Sequence, residues 1–296
     1  MSAQGATADV LAPFAVSRRR RRRDRFARWS VAAATLIAIV PLALILYYLL
    51  RRGLGAISWS FFTTDPTGNT FFGSSSIGGI KSAILGTIEI VAIASLIAIP
   101  VGVAVALWLV EYGQRSRAAH GVRLFVDILT GVPTIIFGLF IYILLVVGTG
   151  YAGYKGSLAL ALLMLPIVVR SAEVALELVP SALRESALAL GAPRWRTIAS
   201  VTLPTALPGL LTGVLLAVAR AAGETAPLLF TAGSTMKTNF DPNTFMNSLP
   251  VQIYNDVISP TPAVEQRAWG AALTLVVMIL LLNLFARLVA RRSAVG

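Results

Sequence analysis

Residues 185–204 read Glu185-Ser-Ala-Leu-Ala-Leu-Gly191 and then Ala192-Pro-Arg-Trp-Arg-Thr-Ile-Ala-Ser-Val201-Thr-Leu-Pro204. This polar, charged segment lies between two long apolar runs. A connection that only reverses the chain between two elements needs just a few residues. Here there is room for a helix from Glu185 to Leu190, a stop at Gly191, a restart at Pro193 and a second helix. Arg194, Trp195 and Arg196 set an aromatic anchor between cations, residue types enriched at interface hot spots. Residues 180–205 therefore read as a docking element rather than a plain amphipathic loop. The apolar runs on either side become the body that it moves.

Composition agrees with that division. The chain has 296 residues, 56% of them hydrophobic and only 13% charged, against roughly 25% charged in an ordinary soluble domain. So much apolar side chain in continuous runs points to lipid as the solvent. There is no cysteine and a single histidine, His120, which excludes disulfides, thiolate metal sites and His-based metal or catalytic clusters. The formal charge of +12 is not a nucleic-acid face. Eight of the 25 basic residues fall between Arg18 and Arg28, directly before the first apolar run.

Residues 1–28 read as a disordered, Arg-rich tail touching anionic headgroups, because the unbroken block from Arg18 to Arg23 repels itself. It is not a secretory signal: the following apolar run is too long and ends in no small-residue cleavage pattern. Six apolar runs occupy 29–50, 80–110, 122–147, 157–179, 206–232 and 268–288, each long enough for the ~20 helical residues that cross a bilayer. Pro41, Pro100, Pro133, Pro166 and Pro208 interrupt them. The second run exceeds one span, so a kink or an extension beyond the membrane is expected. An even number of spans places both termini on one side. With the Arg-rich start inside, 18 Lys and Arg lie inside and 6 outside, with Arg220 in a span; without the terminal block the balance is 10 to 6. The positive-inside rule then puts both termini and the 180–205 segment in the cytoplasm of a plasma-membrane protein, and the longest outer loop at 233–267. Arg51 and Arg52 fall on the opposite side. No inverted repeat is visible, which argues against a secondary transporter.

Two glycine-rich stretches imitate nucleotide sites. Gly148-Thr-Gly-Tyr-Ala-Gly153 has the dinucleotide spacing, but it follows a membrane run and has no acid ~20 residues on. Gly73-Ser-Ser-Ser-Ile-Gly-Gly-Ile-Lys-Ser82 has Gly79 where a phosphate loop needs lysine. The chain therefore binds and hydrolyses no nucleotide itself. His120 reads as a solvated loop residue.

Ionisable residues within spans are costly, so they face a partner or a water-filled path. Glu89 lies in the second run and Asp127 near the start of the third. Arg170 and Glu173 are three apart on the fourth, and Arg220 and Glu224 four apart on the fifth. At ~100° per residue these pairs sit within about 60° and 40° of a common face, and each can form a local ion pair. Around Arg220 stand Ala219, Ala221, Ala222, Gly223, Thr225, Ala226 and Pro227, which let a backbone or ligand approach and let the helix open. An arginine there suits a small oxyanion, and Glu224 tempers the attraction so that the anion passes.

At these residues the chain resembles a known family. Glu185-Ser-Ala, Gly191 six positions on, and Val201-Thr-Leu-Pro204 are similar to the EAA loop of binding-protein-dependent ABC importer permeases. Ser186 replaces the usual middle Ala, and Val201 the usual Ile. The resemblance implies an all-α polytopic membrane protein of type I ABC importer permease fold, with six transmembrane helices over 29–292. It also implies that Glu185, Ser186, Ala187, Gly191, Pro193, Arg194 and Trp195 form a coupling helix seated in a groove of a cytoplasmic ATPase. Residues 219–231, Leu249-Pro-Val-Gln-Ile-Tyr254 and Leu281-Leu-Asn-Leu-Phe-Ala-Arg287 resemble the PstA-type permease subunits of phosphate importers. The sister PstC type usually reads Gly-Glu-Thr-Met-Ala where Gly223-Glu-Thr-Ala-Pro227 stands here. The implied partners are a PstC-type permease, a PstB-type ATPase dimer holding ATP and Mg, a PstS-type extracytoplasmic binding protein, and inorganic phosphate. Arg220 is then the implied residue of the phosphate path, with Glu224, Arg170 and Glu173 next, and this chain carries no catalytic residue, metal or cofactor.

The rival readings are a sulfate or molybdate permease, a membrane enzyme acting on lipid phosphates, and a stand-alone channel or carrier. The enzyme lacks a visible catalytic His, Cys or carboxylate cluster. If Arg170 and Glu173 serve only to hold helices together, Arg170→Gln lowers the membrane level of the protein and its transport in parallel, as immunoblotting beside uptake would show.

Overall fold

The computed structural model describes residues 18–67, 78–113 and 116–293. Residues 1–17 of the expected tail, and residues 73–77 of the second glycine-rich stretch, lie outside them. The chain divides into two units, 1–50 and 51–296, and each is described by itself.

The described part of the first unit is all one helix, α1 (Arg18–Gly53), which contains Pro41 and begins in the Arg block. Disorder was expected through Arg28; the structure instead continues the helix through those arginines. Arginine is among the better helix formers, and a helix already nucleated in an apolar span extends at the gain of one hydrogen bond per residue. The Arg28 Nε–H donates to the Asp24 carbonyl within this stretch (3.4 Å).

In the second unit a 3₁₀ turn at Leu54–Ala56 leads to the short α2 (Trp59–Thr63), whose Ser58 cap accepts from the Phe61 N–H. Then follow α3 (Lys81–Leu107) with a π-helical turn at Trp108–Tyr112, α4 (Arg117–Gly131), and α5 (Thr134–Ile141) with a π-helical turn at Tyr142–Val146. Next come α6 (Gly153–Glu177), α7 (Ser181–Ala189) and α8 (Arg194–Thr197). A third π-helical turn, Ile198–Thr202, joins α8 to α9 (Leu203–Ala222). The chain ends with α10 (Ala226–Thr231), α11 (Leu249–Val257) and α12 (Pro262–Ser293). Among the described residues there is no strand, only an isolated bridge between Pro66 and Gly78.

Among the described residues five helices are long and apolar enough to cross a membrane, or six if α4 and the α5 segment, bent by 100° at their break, count as one span. The run 122–147 was expected as one span; the structure breaks it at Val132-Pro133. Proline holds the preceding residue away from helical geometry, and Val132 is extended at φ −74°, ψ 128°. Pro41, Pro100, Pro166 and Pro208 remain inside helices. The run 206–232 opens between α9 and α10, at Gly223-Glu224-Thr225, as its small residues suggested. With its π turn the second run spans 32 residues, about 48 Å at 1.5 Å per residue, so it extends past a ~30 Å hydrocarbon core.

Helix α6 is the centre of the bundle. Its Leu160, Met164 and Val168 pack with Ile90, Ala94 and Ala98 of α3, Ala217 and Ala221 of α9, and Leu228 of α10. Between helices in lipid, association depends on close fit rather than on removal from water, so small residues occupy the crossings. A Cβ at Gly102 would lie 2.7 Å from Val168 Cγ1, and one at Gly138 2.5 Å from Pro227 Cα. At the end of the bundle away from α7, a buried polar chain pins α11 to α12. Arg267 donates from Nε and Nη2 to the two Asp256 oxygens (2.8 and 2.7 Å), Gln252 donates to Asp256 (2.8 Å), and Asn247 donates to Gln252 (2.6 Å).

Gly102→Leu therefore overpacks the α3–α6 crossing. It should cost about 1–3 kcal/mol and lower the thermal unfolding midpoint of the detergent-solubilised protein. Gly121→Ala, where nothing lies within 4 Å, should leave that midpoint unchanged or slightly raised.

Candidate functional site

The segment 180–205 folds much as its local chemistry dictates. Helix α7 begins at Ser181, four residues before the expected Glu185, because Pro180 ends the preceding chain and precedes a run of good helix formers. Gly191 takes the left-handed conformation at φ +82°. Its N–H donates to the Leu188 carbonyl (2.9 Å), and the Ala192 N–H to that of Ala187 (3.2 Å), satisfying the last carbonyls of the helix. Pro193 then caps α8, and its carbonyl accepts from the Arg196 N–H (2.9 Å). Helix α7 has no buried residue. Leu190 is 89% and Trp195 67% exposed, and Glu185, Ser186, Gly191, Pro193 and Arg194 are exposed beside them. Ala187 is half-buried.

One arginine of α7 turns the other way. Arg184 Nε–H donates to Glu111 Oε1 (3.0 Å), and its Nη1 and Nη2 donate to the carbonyls of Val179 (3.0 Å) and Leu176 (2.7 Å). Sequence reasoning passed over both partners. The available signal was that Glu111, at the end of an apolar run, needs a cation.

The structure brings Arg170 and Glu173 together, and it adds two residues of α4. Arg170 Nη1 donates to Glu173 Oε2 (2.9 Å) and its Nε to Asp127 Oδ1 (2.9 Å). Arg123 Nε donates to Glu173 Oε1 (2.6 Å), and its Nη2 to the Leu109 carbonyl (3.4 Å). The Glu173 side chain is only 4% exposed. Two cations and two carboxylates balance, so this cluster joins α4 to α6 with no net charge. Arg123 was not singled out from the sequence.

Arg220 and Glu224 are held differently. The helix ends at Ala222, and Glu224 stands in the break before α10. Arg220 Nε lies 3.6 Å from Glu224 Oε1, too far for a hydrogen bond, and the Arg220 side chain is 56% exposed. It lines a cavity of about 140 Å³ with Leu129, Thr130, Val132, Thr134 and Pro166. This is the inside of the α4–α5 bend. A bidentate donor thus stands in a wall of mixed polarity beside Thr134 and Thr130, the latter hydroxyl donating to the Asp127 carbonyl (2.6 Å), an arrangement suited to a small oxyanion.

The remaining candidates separate readily. Glu89 is half-buried on α3. His120 was expected in a loop; it lies exposed on α4, because the helix capped by Ser116 already includes it. The Gly148–Gly153 stretch is a turn with Gly148 and Gly150 at φ +84° and +83°. The buried Lys155 holds it by donating to Thr149 Oγ1 (2.7 Å) and the Gly150 carbonyl (2.6 Å).

Comparison with known proteins places this arrangement. The chain is 39% identical over 256 residues to the phosphate transport system permease protein PstA of Pasteurella multocida, covering 86% of this chain and 90% of that protein. It is 40% identical over 280 residues to the protein of the same name from Mycobacterium leprae (93% and 90%), and 42% identical over 257 residues to that of Haemophilus influenzae (86% and 89%). Among solved structures it is similar to an inward-facing MetNI methionine ABC transporter, with a TM-score of 0.58, 21% identity, and 73% of this chain and 94% of the other covered. It is also similar to a bacterial ABC transporter that imports the acidic polysaccharide alginate, with a TM-score of 0.59, 19% identity and 92% and 99% covered. These likenesses establish the ABC importer permease fold. Residues 98–295, which hold both the exposed α7–α8 elbow and the arginine inside the bend, match the family described as the binding-protein-dependent transport system inner membrane component, and the chain belongs to that family.

Proposed function

We propose that this chain is the membrane-spanning permease subunit of an ATP-driven importer of inorganic phosphate, forming half of the translocation path. The observation that carries the reading is the 39–42% identity, over 86–93% of the chain, to relatives named phosphate transport system permease. The geometry of Arg220 supports it. Its guanidinium is not consumed by Glu224, and its planar fork matches two oxygens of a phosphate. Thr134 adds a hydroxyl to the same cavity wall, while the Thr130 hydroxyl is engaged with the Asp127 carbonyl (2.6 Å). Glu224, 16% exposed and 3.6 Å away, offers the competing charge that lets a bound anion leave. Arg170 and Glu173 take a different part: within a neutral cluster they hold α4 against α6, which keeps the wall of the Arg220 cavity in place.

ATP hydrolysis belongs in this reading to a separate subunit. The exposed Leu190, Trp195 and flanking arginines fit docking of a cytoplasmic ATPase dimer that binds ATP and Mg. A second permease subunit and an extracytoplasmic phosphate-binding protein complete the assembly, and both termini of this chain face the cytoplasm of the plasma membrane. ATP-driven closure of the partner then moves α7 and α8, and the bundle alternates between its two openings.

Arg220→Gln removes a charged, two-pronged contact. At ~1.5–3 kcal/mol for hydrogen bonds to a charged group, phosphate uptake should fall roughly 10- to 100-fold with normal membrane levels, and Arg220→Lys should recover only part of it. Normal uptake by a well-expressed Arg220→Gln variant refutes the assignment, and equal competition by sulfate would reassign the substrate to another oxyanion. Trp195→Ala combined with Leu190→Ala should strip the ATPase from the tagged complex on gentle solubilisation while leaving the permease folded.

A further inference from the structure

Arg184 stands immediately before the exposed elbow, and its guanidinium reaches three separate places. It bonds the Glu111 carboxylate on the π-helical turn that ends α3, the Leu176 carbonyl in the last turn of α6, and the Val179 carbonyl at the joint between α6 and α7. Glu111 and Arg184 are largely shielded, with side chains 14% and 19% exposed. The same π-helical turn is also held by α4, where the Leu109 carbonyl accepts from Arg123 (3.4 Å). Arg123 is bonded to Glu173, Glu173 to Arg170, and Arg170 back to Asp127 of α4. Near its far end α4 contributes Leu129 and Thr130 to the Arg220 cavity.

We propose that Arg184 is a positioning residue for transport. Its bond to Glu111 and to the end of α6 makes α7 move together with the end of α3, and the shared π-helical turn passes that displacement through Arg123 to α4 and the cavity wall. A π-helical turn suits such a joint, because its wider backbone register differs from the α-helix by one residue and is found often at functional sites. The ionic contacts give the joint a fixed geometry, since a guanidinium bonded to three acceptors resists rotation. The inference rests on the reading of α7–α8 as an ATPase dock. The alternative is that Arg184 merely caps the end of α6 and adds stability.

The two differ in the phosphate moved per ATP hydrolysed, a ratio that does not depend on how much protein survives. The test is made on the complete complex, copurified through a tag on this chain and reconstituted in liposomes with inorganic phosphate and ATP. Arg184→Gln should still bring the ATPase with it, because Leu190 and Trp195 are untouched, and should still hydrolyse ATP. The phosphate moved per ATP should fall at least tenfold. Glu111→Gln should lower the ratio severalfold, the double variant should be no worse than Arg184→Gln alone, and Arg184→Lys should lie between. A ratio within twofold of the unmodified complex in the assembled Arg184→Gln variant overturns the proposal. Should that variant fail to accumulate, Glu111→Gln, which leaves Arg184 on its two carbonyls, decides by the same ratio. An unmodified chain that brings no ATPase overturns the docking reading and this inference with it, whereas an intact complex with an unchanged ratio overturns the clamp alone.

Discussion

A guanidinium carried into a lipid-embedded bundle must find acceptors, because the surroundings offer it none. That requirement organises much of the second unit of this protein. Arg123 and Arg170 share Glu173 and reach Asp127 and Leu109, Arg184 takes Glu111 and two carbonyls, and Arg267 takes both oxygens of Asp256. Three of these contacts, Arg123 to Glu173, Arg170 to Asp127 and Arg184 to Glu111, join segments distant in the chain, so there neutralising the charge and joining helices are the same act. Breaking one partner of such a pair is costly, since it strands the other charge in a poor solvent.

Arg220 departs from this pattern. It lies next to a carboxylate but beyond hydrogen-bond distance of it, and much of its side chain is open. The cause is local and covalent: Gly223 ends the helix, so the residue that would sit one turn on along α9 instead stands in the break. A helix that ran through residue 224 would close the pair and withdraw the guanidinium from the cavity. Ending it leaves a charge with donor capacity to spare at the one place where the α4–α5 bend opens a cavity. The π-helical turns on α3 and α5, and before α9, mark other places where regular helix gives way near the working parts.

Much of the fold was legible beforehand. Span length is dictated by bilayer thickness, and the apolar runs declared it directly. The helix–Gly–Pro–helix order of the 180–205 elbow follows from chemistry carried by single residues: Gly191 tolerates positive φ, and Pro193 is suited to open a helix. The opening at Gly223 was equally readable. The Arg block was misread because its self-repulsion was weighed without the adjoining span, whose helix propagates into it.

What sequence alone determined was therefore everything set within a few residues: apolar length, turn chemistry, capping, and the residue types gathered at each face. What only the tertiary structure decided was which of five prolines breaks its run, and which carboxylate answers which guanidinium. Arg170 meets Asp127 across 43 residues, Arg123 meets Glu173 across 50, and Arg184 meets Glu111 across 73. No local period encodes such separations. Helix packing sets them, because a side chain's partner depends on which helix face lies opposite, and that is a property of the whole bundle.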